Sequence, residues 1–238
     1  MCKTKAQGYF LVTHGSSSPR SLMQLQELGA MVQRQLGVPI GYGCLEGLAL
    51  DLTAQIENFI DRSPSWQEIV VMPLFLWAGQ HTSIDIPTAV QKVRRDIPVK
   101  IAPFLGSYPA IPQLLLDRFV QAECQLSSSG ARLLIVHGSS YTPALEAMEN
   151  LARYLHARLA FWHRPATIGE SIEHLLGQSP APIIVLPHFL FAGKITESIG
   201  AMVRQYARVV YLPPPLTTGQ VADLIMGTMR TSASIGMA

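Results

Sequence analysis

Two short motifs occur twice in this chain and in the same order, and an internal repeat constrains architecture more than any other feature a sequence can carry. Leu11-Val-Thr-His-Gly-Ser-Ser17 returns as Leu134-Ile-Val-His-Gly-Ser-Ser140, and Pro73-Leu-Phe-Leu-Trp-Ala-Gly79 returns as Pro187-His-Phe-Leu-Phe-Ala-Gly193. From His14 to His137 is 123 residues and from Gly79 to Gly193 is 114, so the second copy is slightly shorter between its motifs. The polar, small-residue stretch Ser127-Ser-Ser-Gly130 lies between the copies and reads as their linker. The expected division is therefore two similar lobes, residues 1–126 and 131–238.

Each copy alternates short apolar runs with helix-like spacing. Tyr9–Thr13, Ile40–Leu45, Ile69–Leu74 and Val99–Ala102 read as strands, as do Arg132–Val136, Pro182–Leu186 and Val209–Leu212. Helical spacing covers Pro19–Leu36, Leu50–Ile60, Ser83–Arg95 and Ile111–Cys124, then Glu146–Leu159, Ile168–Leu176, Thr196–Tyr206 and Gly219–Thr228. Strands apolar on both faces and alternating with helices imply parallel sheets covered on both sides. The expected fold is α/β: two flavodoxin-like lobes, each with a parallel four-stranded sheet, derived by duplication.

Composition narrows the function classes. With 48% hydrophobic and 14% charged residues over 238 positions, the chain has ample apolar material for a packed core. The net charge is +2 and the basic residues are scattered, which argues against a nucleic-acid partner. Three separated cysteines with no CxxC pair support neither a disulfide framework nor a zinc ribbon and point to a reduced, cytoplasmic setting. No apolar stretch approaches the roughly 20 residues of a spanning helix, so no membrane partner is expected.

Sites in open parallel sheets lie beyond the carboxyl ends of the strands. His14 and Gly15 end the first strand, Glu46 follows the second, and His81 follows the third just past Gly79 and Gln80. Two imidazoles and a carboxylate on one sheet edge suit a divalent first-row metal and also proton transfer near neutral pH. Gly15 and Gly79 would allow a flat ligand close to the backbone, and Ser16 and Ser17 are placed to donate hydrogen bonds to it or to cap the first helix. The second copy serves as an internal control. His137 matches His14, but Trp162 or His163 stands in place of Glu46, Lys194 and Ile195 replace Gln80 and His81, and His188 replaces Leu74. Loss of the set from one copy points to chemistry rather than folding in the other. Phosphate-binding and nucleophile-elbow motifs are absent: there is no GxxxxGK[ST], no GxGxxG after a first strand and no GxSxG.

The segments "LVTHGSSSPRS", "GCLEG" and "VMPLFLWAGQHTSIDIP" resemble the sirohydrochlorin chelatases of the CbiX/SirB type, within the class II tetrapyrrole chelatases. That resemblance implies insertion of a divalent metal into sirohydrochlorin, a tetrapyrrole bearing acetate and propionate groups. Cobalt, leading toward cobalamin, is the favoured metal. The alternatives are iron for sirohaem, or a non-catalytic carrier of metal or tetrapyrrole. It implies His14 and His81 as metal ligands and Glu46 as supporting carboxylate or base; beside them Gly15, Ser16, Ser17, Gly79 and Gln80 are the expected substrate-binding residues. It also implies a lyase with no permanently bound cofactor, since Co²⁺ or Fe²⁺ is substrate. Duplication lets one chain supply both lobes, so a monomer is compatible and a homodimer stays open.

Overall fold

The computed structural model describes residues 7–15, 19–62, 66–214 and 222–227. The first repeat runs β1 (Gln7–Thr13), α1 (Pro19–Leu36), β2 (Ile40–Cys44), α2 (Leu52–Ile60), β3 (Glu68–Pro73), α3 (Ile86–Gln91), β4 (Val99–Ile101) and α4 (Ala110–Leu126). The second runs β5 (Ala131–Val136), α5 (Thr142–Tyr154), β6 (Ala157–Phe161), α6 (Ala166–Gln178), β7 (Ile183–Pro187), α7 (Lys194–Val203) and β8 (Val209–Tyr211). The sheets are ordered β2-β1-β3-β4 and β6-β5-β7-β8, and every pairing is parallel.

Continuous apolar character puts the middle strands at the centre of each sheet. Leu11 and Val12 on β1 and Ile69 and Val71 on β3 are fully buried, as are Leu133–Val136 and Ile183–Leu186 in the second sheet. Around β1 and β3, Phe10, Ile56, Phe59, Trp66 and Ile86 close one core layer. Ala160, Ile168, Ile172, Ile199 and Val203 do the same around β5 and β7. Asp51 caps α2 by accepting a 2.8 Å hydrogen bond from the Ala54 amide, which starts that helix two residues later than the apolar spacing alone predicts. Among the described residues no helix is long and apolar enough to cross a membrane.

One expectation is corrected. Glu146–Leu159 reads as one helix, yet α5 stops at Tyr154 and Ala157–Phe161 forms strand β6, paired with β5 from Arg132↔Ala157 to Val136↔Phe161. His156, at φ +50°, breaks the helix, and the open edge of β5 recruits a segment whose alanines, leucine and arginine favour helix locally. The expected lobes, residues 1–126 and 131–238, follow the sequence repeats, and the compact units are drawn across them. The chain separates into one compact unit of residues up to Tyr108 together with helical residues 222–227, and a second of Pro109–Val221. The cause is α4. Its Ile111, Leu115, Phe119 and Ala122 face is buried, Arg132 lies over the Phe119 ring at 5.5 Å, and Arg132 pairs with Glu123 at 2.8 Å. Arg118 donates to the Pro213 carbonyl at 3.1 Å, and Tyr154 donates to Gln113 at 3.0 Å. The last helix of the first repeat thus completes the second unit. Ala222, Ile225 and Met226, from the end of the second repeat, are buried in the first.

Candidate functional site

The order β2-β1-β3-β4 reverses direction at β1, because the chain leaves β1 for β2 on one side and returns past it to β3 on the other. Connections diverge at such a switch point and leave a crevice beyond the strand ends. His14 stands at the end of β1, and His81 follows the loop from β3. Those two strands flank the switch.

The ends of β1 and β2 are tied by backbone hydrogen bonds, Leu45 N to Thr13 O at 3.1 Å and Glu46 N to His14 O at 2.9 Å. Gly15, at φ +99°, makes the turn possible. A Cβ there would lie 2.0 Å from the Glu46 carbonyl oxygen, so only glycine lets the two strand ends approach this closely. The result brings His14 Nε2 to 3.9 Å from Glu46 Oε1, with both side chains at least half exposed. The His14 and His81 rings meet edge to face, centroids 4.7 Å apart at 86°. Phe75, partly packed into the core, supports His81 from 5.7 Å.

His81 opens a π-helical turn, His81–Asp85, that leads directly into α3. Its Nδ1 lies 2.7 Å from Asp85 Oδ2. A carboxylate only accepts, so Nδ1 is the donor of this pair, and in the neutral ring that leaves the lone pair on Nε2. Asp85 is the functional candidate that strand-end reasoning missed. A signal existed in the four-residue spacing of His and Asp within Gln80-His-Thr-Ser-Ile-Asp85, which places both on one helix face.

Of the other expected residues, Gly79 holds the loop before the turn. Its N–H donates to Thr82 Oγ1 and the Thr82 hydroxyl donates back to the Gly79 carbonyl, each at 3.0 Å. No atom lies within 4 Å of a Cβ built on Gly79, so the space beside it is open. Gln80 is exposed at the start of the turn. Ser16 and Ser17 lie outside the described residues. Among the described residues no group of three or more His, Cys, Asp or Glu side chains is gathered tightly enough to hold a metal ion. His14, His81 and Glu46 are neighbours, not a closed cage.

The second unit repeats the backbone and not the chemistry. Trp162 N bonds to Val136 O and His163 N to His137 O, which makes Trp162 the counterpart of Leu45 and His163 the counterpart of Glu46. The His163 ring donates from Nδ1 to the His137 carbonyl at 3.0 Å and fills the space over Gly138, itself at φ +94°. Lys194 is exposed and Ile195 partly buried where the first unit has Gln80 and His81. His188 takes the place of Leu74, each bonded through its amide to the neighbouring strand, at Ile135 and Val12 respectively. His188 is fully enclosed, and burial pushes its pKa down from 6.5 to about 4.

Known proteins resemble this chain in sequence and in fold. The sirohydrochlorin cobaltochelatase of Priestia megaterium is 25% identical over 155 residues, amounting to 59% of this chain and 50% of that protein. The chain thus spans about half the length of the curated relative it matches. The structure of SirB from Bacillus subtilis with Fe³⁺ matches at a TM-score of 0.76 and 16% identity, covering 97% of this chain and 98% of that one. CbiX, described as the terminal enzyme for biosynthesis of siroheme in denitrifying bacteria, matches at 0.71 and 22% identity, covering 94% and 99%. At those identities the likeness is one of fold. The CbiX family model matches residues 8–122 and again 131–225, and with a chelatase-like α/β fold in both repeats the chain belongs to the CbiX family.

Proposed function

We propose that this protein is a sirohydrochlorin chelatase that inserts a divalent metal, with cobalt as the favoured ion, into the tetrapyrrole. The observation that carries the proposal is the convergence of His14, Glu46 and His81 beyond the strand ends that flank the switch point. Its loss from the duplicated unit, which keeps the same backbone hydrogen bonds, adds support. The name of the Priestia megaterium relative supports the reaction class and the choice of cobalt.

In the proposed mechanism, His81 Nε2 and His14 hold the ion at one face of the macrocycle. Insertion exchanges the ion's water and imidazole ligands for four ring nitrogens and releases two pyrrolic protons. Glu46, beside His14 and open to solvent, accepts one of these protons as the ion leaves, and the other passes to an imidazole freed of the ion and from there to water. Neutral nitrogen donors with one flanking carboxylate suit a transfer site, since a cage of several charged ligands would retain the metal. Gly15, Gly79 and Gln80 form the backbone rim on which the flat ring rests. The ion is itself the substrate, so the proposed reaction needs no permanently bound cofactor.

The test is anaerobic insertion of Co²⁺ and Fe²⁺ into sirohydrochlorin, followed by absorbance beside the uncatalysed reaction. The expected result is acceleration by the wild type, reduced about 100-fold or more in both His14→Ala and His81→Ala. The metal with the larger rate is the one the site favours. Folded protein that accelerates neither metal would overturn the proposal.

A further inference from the structure

The two repeats stay in step through the loop that follows β3 and β7 and then slip by one residue. Gly79 and Thr82 correspond to Gly193 and Thr196, 114 residues on, with the same reciprocal hydrogen bonds in both units. From Ile86 to Ile199, and from Val90 to Val203, the spacing is 113. Ile86 and Ile199 are each fully buried in their own core, which fixes them as equivalents. Between the threonine and this isoleucine the first unit carries Ser83, Ile84 and Asp85, whereas the second carries only Glu197 and Ser198. The extra residue falls within the π-helical turn, whose i→i+5 bond runs from Ile86 N to His81 O. In the second unit the same stretch is ordinary α-helix, α7.

Widening the turn by one residue does two things. It keeps Ile86 in the core, and it puts Asp85, not a core residue, four positions after His81 with its carboxylate on Nδ1. In the second unit the residues at the corresponding spacing are Ile195 and Ile199, and the loop keeps its shape without any imidazole–carboxylate pair. The pair is therefore not what folds this loop. A carboxylate on one nitrogen of a metal-binding imidazole fixes the tautomer, holds the ring plane and makes the other nitrogen a better donor.

We propose that Asp85 is a positioning residue for the metal-binding imidazole of His81, and that the one-residue expansion of this turn exists to place it. The proposal rests on the chelatase reading for its purpose, but the state of the His81 ring is a property of the free protein and is measured without substrate. Long-range ¹H–¹⁵N NMR at mildly alkaline pH reads that state directly. Wild type should show His81 as the Nδ1–H tautomer alone, and Asp85→Ala should show a mixture of tautomers. Replacing Ser83-Ile84-Asp85 by the two-residue Glu-Ser of the second unit should do likewise, in protein that remains folded. Asp85→Glu should partly restore the wild-type signature.

In a Co²⁺ titration without tetrapyrrole, Asp85→Ala should weaken binding by about 10- to 100-fold, less than His81→Ala does. An unchanged tautomer in Asp85→Ala would overturn the positioning role. So would unchanged Co²⁺ affinity in that variant alongside weakened binding by His81→Ala, and either result would leave the chelatase reading standing. A tautomer change in protein that neither binds Co²⁺ or Fe²⁺ nor accelerates insertion of either would instead overturn the chelatase reading and leave the Asp85–His81 pairing intact.

Discussion

His188 should make the stability of the second unit fall steeply in mild acid, and replacing it with the residue found in the first unit should remove that liability. Its imidazole is enclosed at the end of β7 and its pKa is lowered from 6.5 to about 4 by burial. The folded protein therefore resists taking a proton that the unfolded chain accepts. Between pH 6.5 and about 4 the unfolded state binds more protons, so stability rises with pH in that window and is lost as pH falls through it. The full shift corresponds to about 3 kcal/mol, at 1.36 kcal/mol per pKa unit. About 2 kcal/mol of it is already gone near pH 5, where the unfolded imidazole is almost fully charged and the folded one almost fully neutral.

Leu74 occupies the equivalent place in the first unit and is 2% exposed, so His188→Leu fits a site the fold already builds for leucine. The assay is urea denaturation of wild type and His188→Leu at about pH 7.5 and about pH 5. The variant should lose about 2 kcal/mol less than wild type between the two conditions. Parallel losses would refute the reasoning, because they would mean that the buried ring takes up its proton in the folded state as readily as in the unfolded one.

Gly15→Ala should destabilise the first unit by about 1–3 kcal/mol in chemical denaturation and weaken Co²⁺ binding, since its Cβ would meet the Glu46 carbonyl at 2.0 Å in a left-handed backbone. Wild-type stability would mean that the strand ends are free to separate. Gly79→Ala has open space around the new methyl group and should change stability by no more than about 0.5 kcal/mol. A raised KM for the tetrapyrrole in that variant would support close approach of the ring to this backbone, and unchanged kinetics would remove Gly79 from the binding rim.

What the sequence determined by itself was the repeat, the α/β alternation and the strand-end positions of His14, Glu46 and His81. All three follow from local signals: motif recurrence, continuous apolar runs, and polar residues placed immediately after them. What it left undecided depends on which surfaces meet. Ala157–Phe161 looks helical in isolation and becomes a strand because β5 offers an open edge. The linker after α4 marks the end of a repeat, but α4 joins the second compact unit, because Phe119 and Glu123 find Arg132 there.

The assignment of His163 opposite Glu46 needed the hydrogen bond from its amide to His137, since the sequence allowed Trp162 equally well. Asp85 was written in the chain as a simple spacing, yet the same spacing occurs on many solvated helix faces. Only folding put the Asp85 carboxylate 2.7 Å from the His81 ring, on a turn one residue wider than its duplicate. Local patterns decide which elements form and where they end, whereas the partner of each side chain is chosen by packing between residues far apart in the chain.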